Sequence, residues 1–457
     1  MADQDFSVLL DDGKPNQISV GLVETPSHRM ISYLLDPTKI GDALFCINEQ
    51  DPDYLPLVGL RTRRLGEVYP YPAIQGYRAG NEVDVVCYMQ AEGKELPSPV
   101  RVIAYMAPVY GLQVVALLSA ATHTMILSPN SVWVVGWNAY GQLGTRDRVQ
   151  HEFFVDLGDT PYPSAPDFSK VTDGSAGASH SMLIIDGVIW ASGRNSYGQL
   201  GAGNTTWSNE YINTGFTAQS VSCGLDHSIA IKDGILWVCG RNNNGQLGLG
   251  DTYNRLSFTS TGISVLKAVC HIADHTLIIK PDNSVWSCGY GGQGETGLGS
   301  DINITHTFTH TSMRASDIAT GANHSMLIDL SGGVWTTGHN NGGRLGLGDA
   351  INRYRFTATG MSADVIAAGS THSMLISGGK LYATGNNGNG QLGLGQEVTL
   401  VYSFADTGLL ANDVVVGFDH TIILNSNGML ATGDNPRGQL GLGDTIRRYI
   451  FTQVVQE

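Results

Sequence analysis

The chain has 457 residues, with 26 Lys and Arg against 41 Asp and Glu, and a formal net charge of −15. Only eight lysines occur, which argues against a nucleic-acid or anionic-membrane surface, since either needs clustered positive charge. The length accommodates one large repeat domain preceded by a unit of about 100 residues.

The N-terminal stretch MADQDFSVLLDDGK is acidic where a secretory leader is basic, and it lacks a long apolar core. No run of 18 apolar residues is present, so no membrane-inserted helix is expected. Strand-like runs follow at 18–24, 30–35, 42–47, 82–89 and 100–106. Residues 1–105 therefore read as a small, mostly β unit suited to anchoring or docking. Its one dense positive cluster, Arg61, Arg63 and Arg64, is a candidate contact for an acidic partner. The six cysteines form no Cys-x-x-Cys pair, which points away from structural zinc. Cys239 and Cys288 recur at one strand register, so synthesis and folding in a reducing cytosol are expected.

From residue 106 to 457 one pattern recurs seven times: a histidine, an apolar strand, a large side chain three residues before a glycine, then Gly-x-Leu-Gly. The histidines are His123, His180, His227, His275, His324, His372 and His420, at spacings of 57, 47, 48, 49, 48 and 48. A period near 50 built of short strands and Gly/Asn turns marks a repeat architecture. Within DVIAAGSTHSMLISGGKLYATGNNGNGQLGLG (364–395), three short runs read as strands and the glycine-rich end as a turn. A lone small sheet cannot hide its apolar faces. Radial stacking buries them and leaves only short edges, so an all-β, seven-bladed propeller is expected. Trp133, Trp190, Trp237, Trp286 and Trp335 hold one register, with Tyr382 and Leu430 in the last two copies. They are expected to form a buried packing layer whose truncation costs roughly 3–5 kcal/mol each.

The repetition bears on candidate sites. A catalytic group is needed once, so seven near-equivalent histidines imply a hydrogen-bonding or packing duty in each blade. His271 and His275 form the single His-x-x-x-His pair, without a visible third ligand. The GQLGLGD turns lack the Gly-Lys-Ser/Thr ending and following helix of a phosphate loop. Arg255, Arg353 and Arg447 recur after these turns and are expected to brace their blades. No catalytic residue, metal ligand or cofactor is assigned. Segments that break the repeat, 145–154, 158–168, 204–211 and 300–310, read as loops free of the shared structural duty. Among them Arg148, Tyr162, Trp207 and Tyr211 are candidate partner-binding anchors, because aromatic residues and Arg dominate interface hot spots.

The copies HSIAIKDGILWVCGRNNNGQLGLGD (227–251) and HSMLIDLSGGVWTTGHNNGGRLGLGD (324–349) resemble the regulator of chromosome condensation repeat family. The resemblance covers about 112–457 and implies a seven-bladed propeller. One copy departs, with Thr296 in place of the leucine. Some members exchange nucleotide on a small GTPase through a wedge projecting from the propeller. No comparable long insertion is seen here beyond the Pro-rich link at 158–168. The expectation is a non-enzymatic, protein-binding propeller from a phage or bacterium, displayed by its N-terminal unit. It would be made in the cytoplasm and carried on a bacteriophage virion, where it contacts other virion proteins or a host surface receptor and is oligomeric through the assembly. The alternative is a cytosolic regulator of the guanine-nucleotide-exchange type.

Overall fold

The computed structural model describes residues 114–158, 165–300 and 302–454, and ahead of them the backbone of nine strands between Phe6 and Tyr105. The chain divides into two compact units, 1–107 and 108–457. In the first, Val20–Glu24 pairs with Arg29–Tyr33, and Gly76–Ala79, Glu82–Cys87 and Val100–Tyr105 form a three-stranded antiparallel sheet. Arg61, Arg63 and Arg64 and the expected strand at 42–47 lie outside the described residues, as does Tyr162. Among the described residues no helix is long and apolar enough to cross a membrane.

The second unit is the propeller. Blade 1 takes strands Ala116–Ser119, His123–Leu127, Val132–Gly136 and His151–Asp156, each antiparallel to the next. Blade 2 follows with Val171–Ala176, His180–Ile185, Val188–Gly193 and Ser208–Thr217. Blade 3 takes Ser220–Cys223, His227–Lys232, Ile235–Gly240 and Arg255–Ser264. Blades 6 and 7 keep the order, with histidine strands His372–Ser377 and His420–Asn425 and outer strands Leu400–Leu410 and Arg448–Gln453. Blades 4 and 5 are joined into one seven-stranded sheet by Ile304–Thr320. That strand is the outer strand of blade 4 through Arg314 and the inner strand of blade 5 from Ala315.

The outer strands of blades 2 to 6 share a position of positive φ near their ends. Blades 2, 3, 5 and 6 turn near the end of the outer strand at Gly215, Gly262, Gly360 and Gly408, all with positive φ between 69° and 79°. Blade 4 has Ser312 at the equivalent place and holds it at φ 69°, a conformation costly for a residue with a Cβ. The preceding Thr311 donates its hydroxyl to Val285 O at 2.8 Å, as Thr214 does to Ile189 O at 2.8 Å, which satisfies a third-strand carbonyl beside the bulge.

The histidine strands are buried along their length, as in His180–Ile185, because each blade is covered on both faces by its neighbours. They therefore read as continuous apolar runs without strict alternation. The tryptophan register departs from expectation. Trp133, Trp190, Trp237, Trp286 and Trp335 are half-buried and pack against the inter-blade clusters from their edge. The fully buried residues of that strand are their neighbours, such as Val132 and Val134. Indole Nε1 of Trp335 donates to Asp329 Oδ2 at 2.8 Å, so the polar edge stays at the wet side of the blade.

A second correction concerns the segments read as loops. Residues 145–154, 204–211 and 300–310 each run into an outer strand. Tyr211 lies on that strand and is 1% exposed, so it is not a surface anchor. Its ring fills the space left by Gly144 of the preceding blade, where a Cβ would sit 2.4 Å from the ring. The contact recurs as Gly201 with Phe258, Gly248 with Phe308, Gly297 with Phe356, Gly346 with Phe404, Gly393 with Phe451 and Gly441 with Phe154. The second glycine of Gly-x-Leu-Gly is thus the seat for an aromatic ring of the next blade.

The last of these contacts closes the ring. Blade 1 and blade 7 share no strand; all strands of each come from one end of the propeller sequence. The seam is held by Phe154 over Gly441, Gly443 N donating to Glu152 O at 2.8 Å, and Thr124 Oγ1 donating to Gln439 O at 2.9 Å. Beneath them Leu117, Ile126, Ile422, Met429 and Leu440 form one buried cluster.

Candidate docking face and axial cavity

Each histidine ties its blade to the next. Nε2 of His123, His180, His275 and His324 lies 2.7–2.8 Å from the hydroxyl of Ser181, Ser228, Ser325 and Ser373. Those of His227 and His372 lie 3.0 Å from Thr276 and Thr421, and that of His420 lies 2.9 Å from Ser119 across the seam. The hydroxyl proton is already committed: Ser228 donates to Gln199 O, Thr276 to Gln246 O and Ser373 to Arg344 O, all at 2.8 Å. In these contacts, and in those of Ser325 and Thr421, whose hydroxyls donate to Glu295 O and Gln391 O at 2.7 Å, Nε2 must carry the hydrogen and donate, which fixes the neutral tautomer. The Nδ1 atoms of His123, His180, His227, His324, His372 and His420 are buried without a hydrogen-bond partner. Burial drives the pKa of His123, His180, His227, His275, His372 and His420 down to about 3, and that of His324 in the same direction. These imidazoles act as neutral inter-blade bolts. Among the described residues no three His, Cys, Asp or Glu side chains gather to hold a metal ion.

His271 behaves differently from its sequence neighbour His275. Its Nε2 lies 2.6 Å from Ser119 O, so a side chain of blade 4 reaches blade 1 across the axis. Burial lowers its pKa, opposed by the carbonyls of Ser119, Ala368 and Thr320. Those carbonyls come from blades 1, 6 and 5, which places His271 in the central channel as a plug.

The turns after the third strands build one face of the ring. In six blades an asparagine clamps the turn: Asn138 Oδ1 accepts from Leu143 N at 2.9 Å, and its Nδ2 donates to Asp147 Oδ1 at 2.7 Å. Asn195, Asn242, Asn340, Asn387 and Asn435 accept in the same way from the leucine five residues on. Asp251, Asp349 and Asp444 also each bind an arginine at 2.6 Å, namely Arg255, Arg353 and Arg448. In blade 7 the bracing residue is thus Arg448, one place beyond the expected Arg447, which pairs with Asp434 at 3.1 Å. With backbones held alike, differences between blades fall on the residues that the turns present.

Across blades 7, 1, 2 and 3 those residues make a ladder of arginine and aromatic rings. Arg437 lies over Trp137 at 5.5 Å, and Trp137 meets Tyr140 edge-on at 5.2 Å. Tyr140 meets Trp207 edge-on at 4.9 Å, and Arg148 lies over Trp207 at 5.9 Å. Arg194 lies 5.6 Å from both Tyr140 and Tyr197, and Arg241 lies 5.4 Å from Tyr197. Asp226 holds Arg194 and Arg241 at 3.5 and 3.7 Å. Two anchors proposed from sequence, Arg148 and Trp207, meet here at the exposed rim, and Trp207 is 38% exposed. The inner members, Trp137, Tyr140, Arg194 and Arg241, sit inside the regular turns and were passed over in favour of irregular segments. Their signal was present in the sequence as the variation at the first and fourth residues after each strand-ending glycine.

Nearer the axis, on the side of blade 4, a cavity of about 270 Å³ is lined by Leu225, Asn244, Asp274, His275, Tyr290, Glu295, Ala322, Asn323 and Phe418. Leu225, Ala322 and Phe418 come from blades 3, 5 and 7, which only the mouth of the central channel can bring together. Burial pushes the Glu295 carboxyl up to about 7, with the charge of Asp274 adding in the same sense.

A family model described as RCC1-like domain matches residues 88–403. Among solved structures, human WBSCR16 is similar at 21% identity and a TM-score of 0.62, covering 71% of this chain and 94% of that one. Prp20p from Saccharomyces cerevisiae is similar at 17% identity and a TM-score of 0.63, covering 74% and 87% respectively. The yeast RCC1 (Prp20) bound to Kap60 gives 16% identity and a TM-score of 0.63, covering 74% and 85%. No curated protein matches the sequence.

Proposed function

The chain belongs to the family of RCC1-like domains, and from that premise we propose that it is a non-enzymatic docking propeller whose partner engages the arginine–aromatic ladder. The observation that carries this reading is the concentration of Trp137, Tyr140, Trp207, Arg148, Arg194 and Arg437 on one face of an otherwise acidic chain. Aromatic side chains lose little entropy on contact, and together with arginine they supply most hot-spot energy. The ladder also pre-arranges them, since each ring is held by its neighbours before a partner arrives.

The assembly we favour is a bacteriophage virion, with the N-terminal unit as anchor and the propeller presented to another virion protein or a host receptor. The support is the fusion of a β-rich unit to a propeller and the lysine-poor composition, eight lysines in 457 residues. Immunogold labelling of purified particles tests it. Label at a defined place on the particle supports the reading, and a chain found only free in the cytosol refutes it. The fold likeness to Prp20p, whose structure is described together with its binding to Gsp1p and histones, favours a second reading as a regulator of the guanine-nucleotide-exchange type. Accelerated nucleotide release from a small GTPase would establish that reading in place of the first.

A further inference from the structure

The second residue of the Gly-x-Leu-Gly turn is a glutamine in five blades and Arg344 in a sixth. In blade 4 alone it is a carboxylic acid, Glu295. Where the glutamines reach the next blade they donate to the residue before its histidine: Gln199 to Asp226 at 3.1 Å, and Gln246 to Asp274 at 3.3 Å. At the junction of blades 4 and 5 the pair is exchanged in type, with Glu295 and Asn323 lining one cavity.

Glu295 is 0% exposed. Its Oε2 accepts from Gln293 N at 2.7 Å, and its Oε1 has no hydrogen-bond partner. A buried carboxyl oxygen left without a donor is costly and asks for one. The cavity beside it, about 270 Å³, is several times the ~30 Å³ share of a water molecule. Its second carboxyl, Asp274, is already approached by Arg241 at 4.0 Å, whereas no described cation pairs with Glu295. Phe418, Leu225 and Tyr290 supply apolar and aromatic wall. An unpaired carboxyl in a recess walled in part by apolar and aromatic side chains fits a cationic group on an alkyl stem: charge and N–H donors to the carboxyl, stem to the rings.

We propose that the axial cavity receives the guanidinium or ammonium side chain of the docking partner, with Glu295 as its counter-ion. This rests on the reading of the propeller as a docking module and names the chemistry that one part of its face selects. Among the described residues the ionisable groups around Glu295 are Asp274, His275 and Tyr290 of its own blade, and Asp226 and Arg241 of blade 3 beyond Asp274. His275 is held neutral. A cation binds the ionised form of Glu295, so binding strengthens as pH rises through about 7 and releases a proton below it.

The test is calorimetric titration of the full chain with methylguanidinium and n-butylammonium, against neutral methylurea, at about pH 8 and about pH 6.5, above the range in which protonation of the histidines unfolds the ring. The wild type binds the cations more tightly at the higher pH and does not bind methylurea. Glu295→Gln, which restores the side chain of the five regular blades, keeps the thermal unfolding temperature or raises it and loses about tenfold affinity or more. Equal cation binding by Glu295→Gln, equal binding of methylurea, or no cation binding by the wild type at the higher pH each overturns the inference. Tyr140→Ala in the same titration leaves cation binding unchanged. A partner lost on Tyr140→Ala while the wild type ignores the cations would therefore remove the cavity assignment and leave the docking face standing.

Discussion

Acidification should unfold the propeller well before its carboxylates are neutralised. In six of the seven bolts burial holds the imidazole near a pKa of 3, and His324 shifts the same way. An unfolded histidine keeps its ordinary value near 6.5, so on acidification the unfolded chain takes up protons that the native ring refuses. Stability is then full above the unfolded value and is lost as pH falls below it. From about pH 6.5 to 5.5 each site removes about 1 kcal/mol, and seven together remove about 7 kcal/mol. A domain stable by about 5–15 kcal/mol has little left after that. Glu295 works the other way, because a carboxyl raised to about 7 is protonated first in the native state and stabilises it on acidification. One such group offsets a fraction of the seven, and Asp226, Asp274 and Asp419 are shifted upward by burial in the same sense. Urea unfolding followed by tryptophan fluorescence at several pH values between about 8 and 5.5 measures the slope. A midpoint that stays level over that range would refute the neutral-bolt account, since it would mean that native and unfolded histidines bind protons alike.

Four further outcomes follow from particular residues. Trp286→Ala should cost about 2 kcal/mol in chemical unfolding, below the 3–5 kcal/mol of a fully buried ring, because the indole is half-buried. Ser312→Gly should raise stability by about 1 kcal/mol, since glycine adopts φ 69° without the strain of a Cβ; a loss would show that the serine hydroxyl is needed. Tyr140→Ala should weaken partner binding by about 2 kcal/mol or more in a direct binding assay, because it removes the ring shared by Trp137, Trp207 and Arg194. Phe154→Ala should raise hydrogen exchange first in Ala116–Ser119 and Arg448–Gln453, the strands beside the seam, whereas Phe404→Ala should not loosen that seam.

The number of blades was legible because each histidine strand carries its pattern in one unbroken apolar run. The outer strands were not. Ser208–Thr217 faces solvent on one side and is rich in Asn and Thr, so its composition matches that of a loop, and its first residues were read as part of one. Tyr211 was misplaced for the same reason: on a loop it would be an anchor, but on an outer strand it points inward to Gly144. The glycines were visible as a rhythm, yet their ring partners lie on the following blade, at a distance that local pattern cannot connect. Trp207 and Arg148, which meet in the structure, were singled out because they break the repeat. Tyr140 and Arg194 were missed because they sit inside it, and Glu295 was passed over beside the more conspicuous Thr296.

That last omission bears on how such a ring acquires specificity. Seven blades share the histidine bolt, the asparagine-clamped turn or its variant, and the glycine seat, and these fix backbone positions to near-equivalence. Residues bound to those duties cannot vary without loosening an inter-blade contact. Freedom is left at the positions presented on the turn face and around the axis, where neighbouring blades meet. Blades 1 to 3 use it for rings and guanidinium groups, and blade 4 uses it for a buried carboxyl without a donor. The two features have opposite charge preference and lie on the same face. A partner that satisfies both must bring an acidic or aromatic surface for the ladder and a basic side chain for the axis, in one fixed orientation. A ring built from near-identical blades would accept a partner in seven equivalent rotations, and this pairing of unlike sites leaves one.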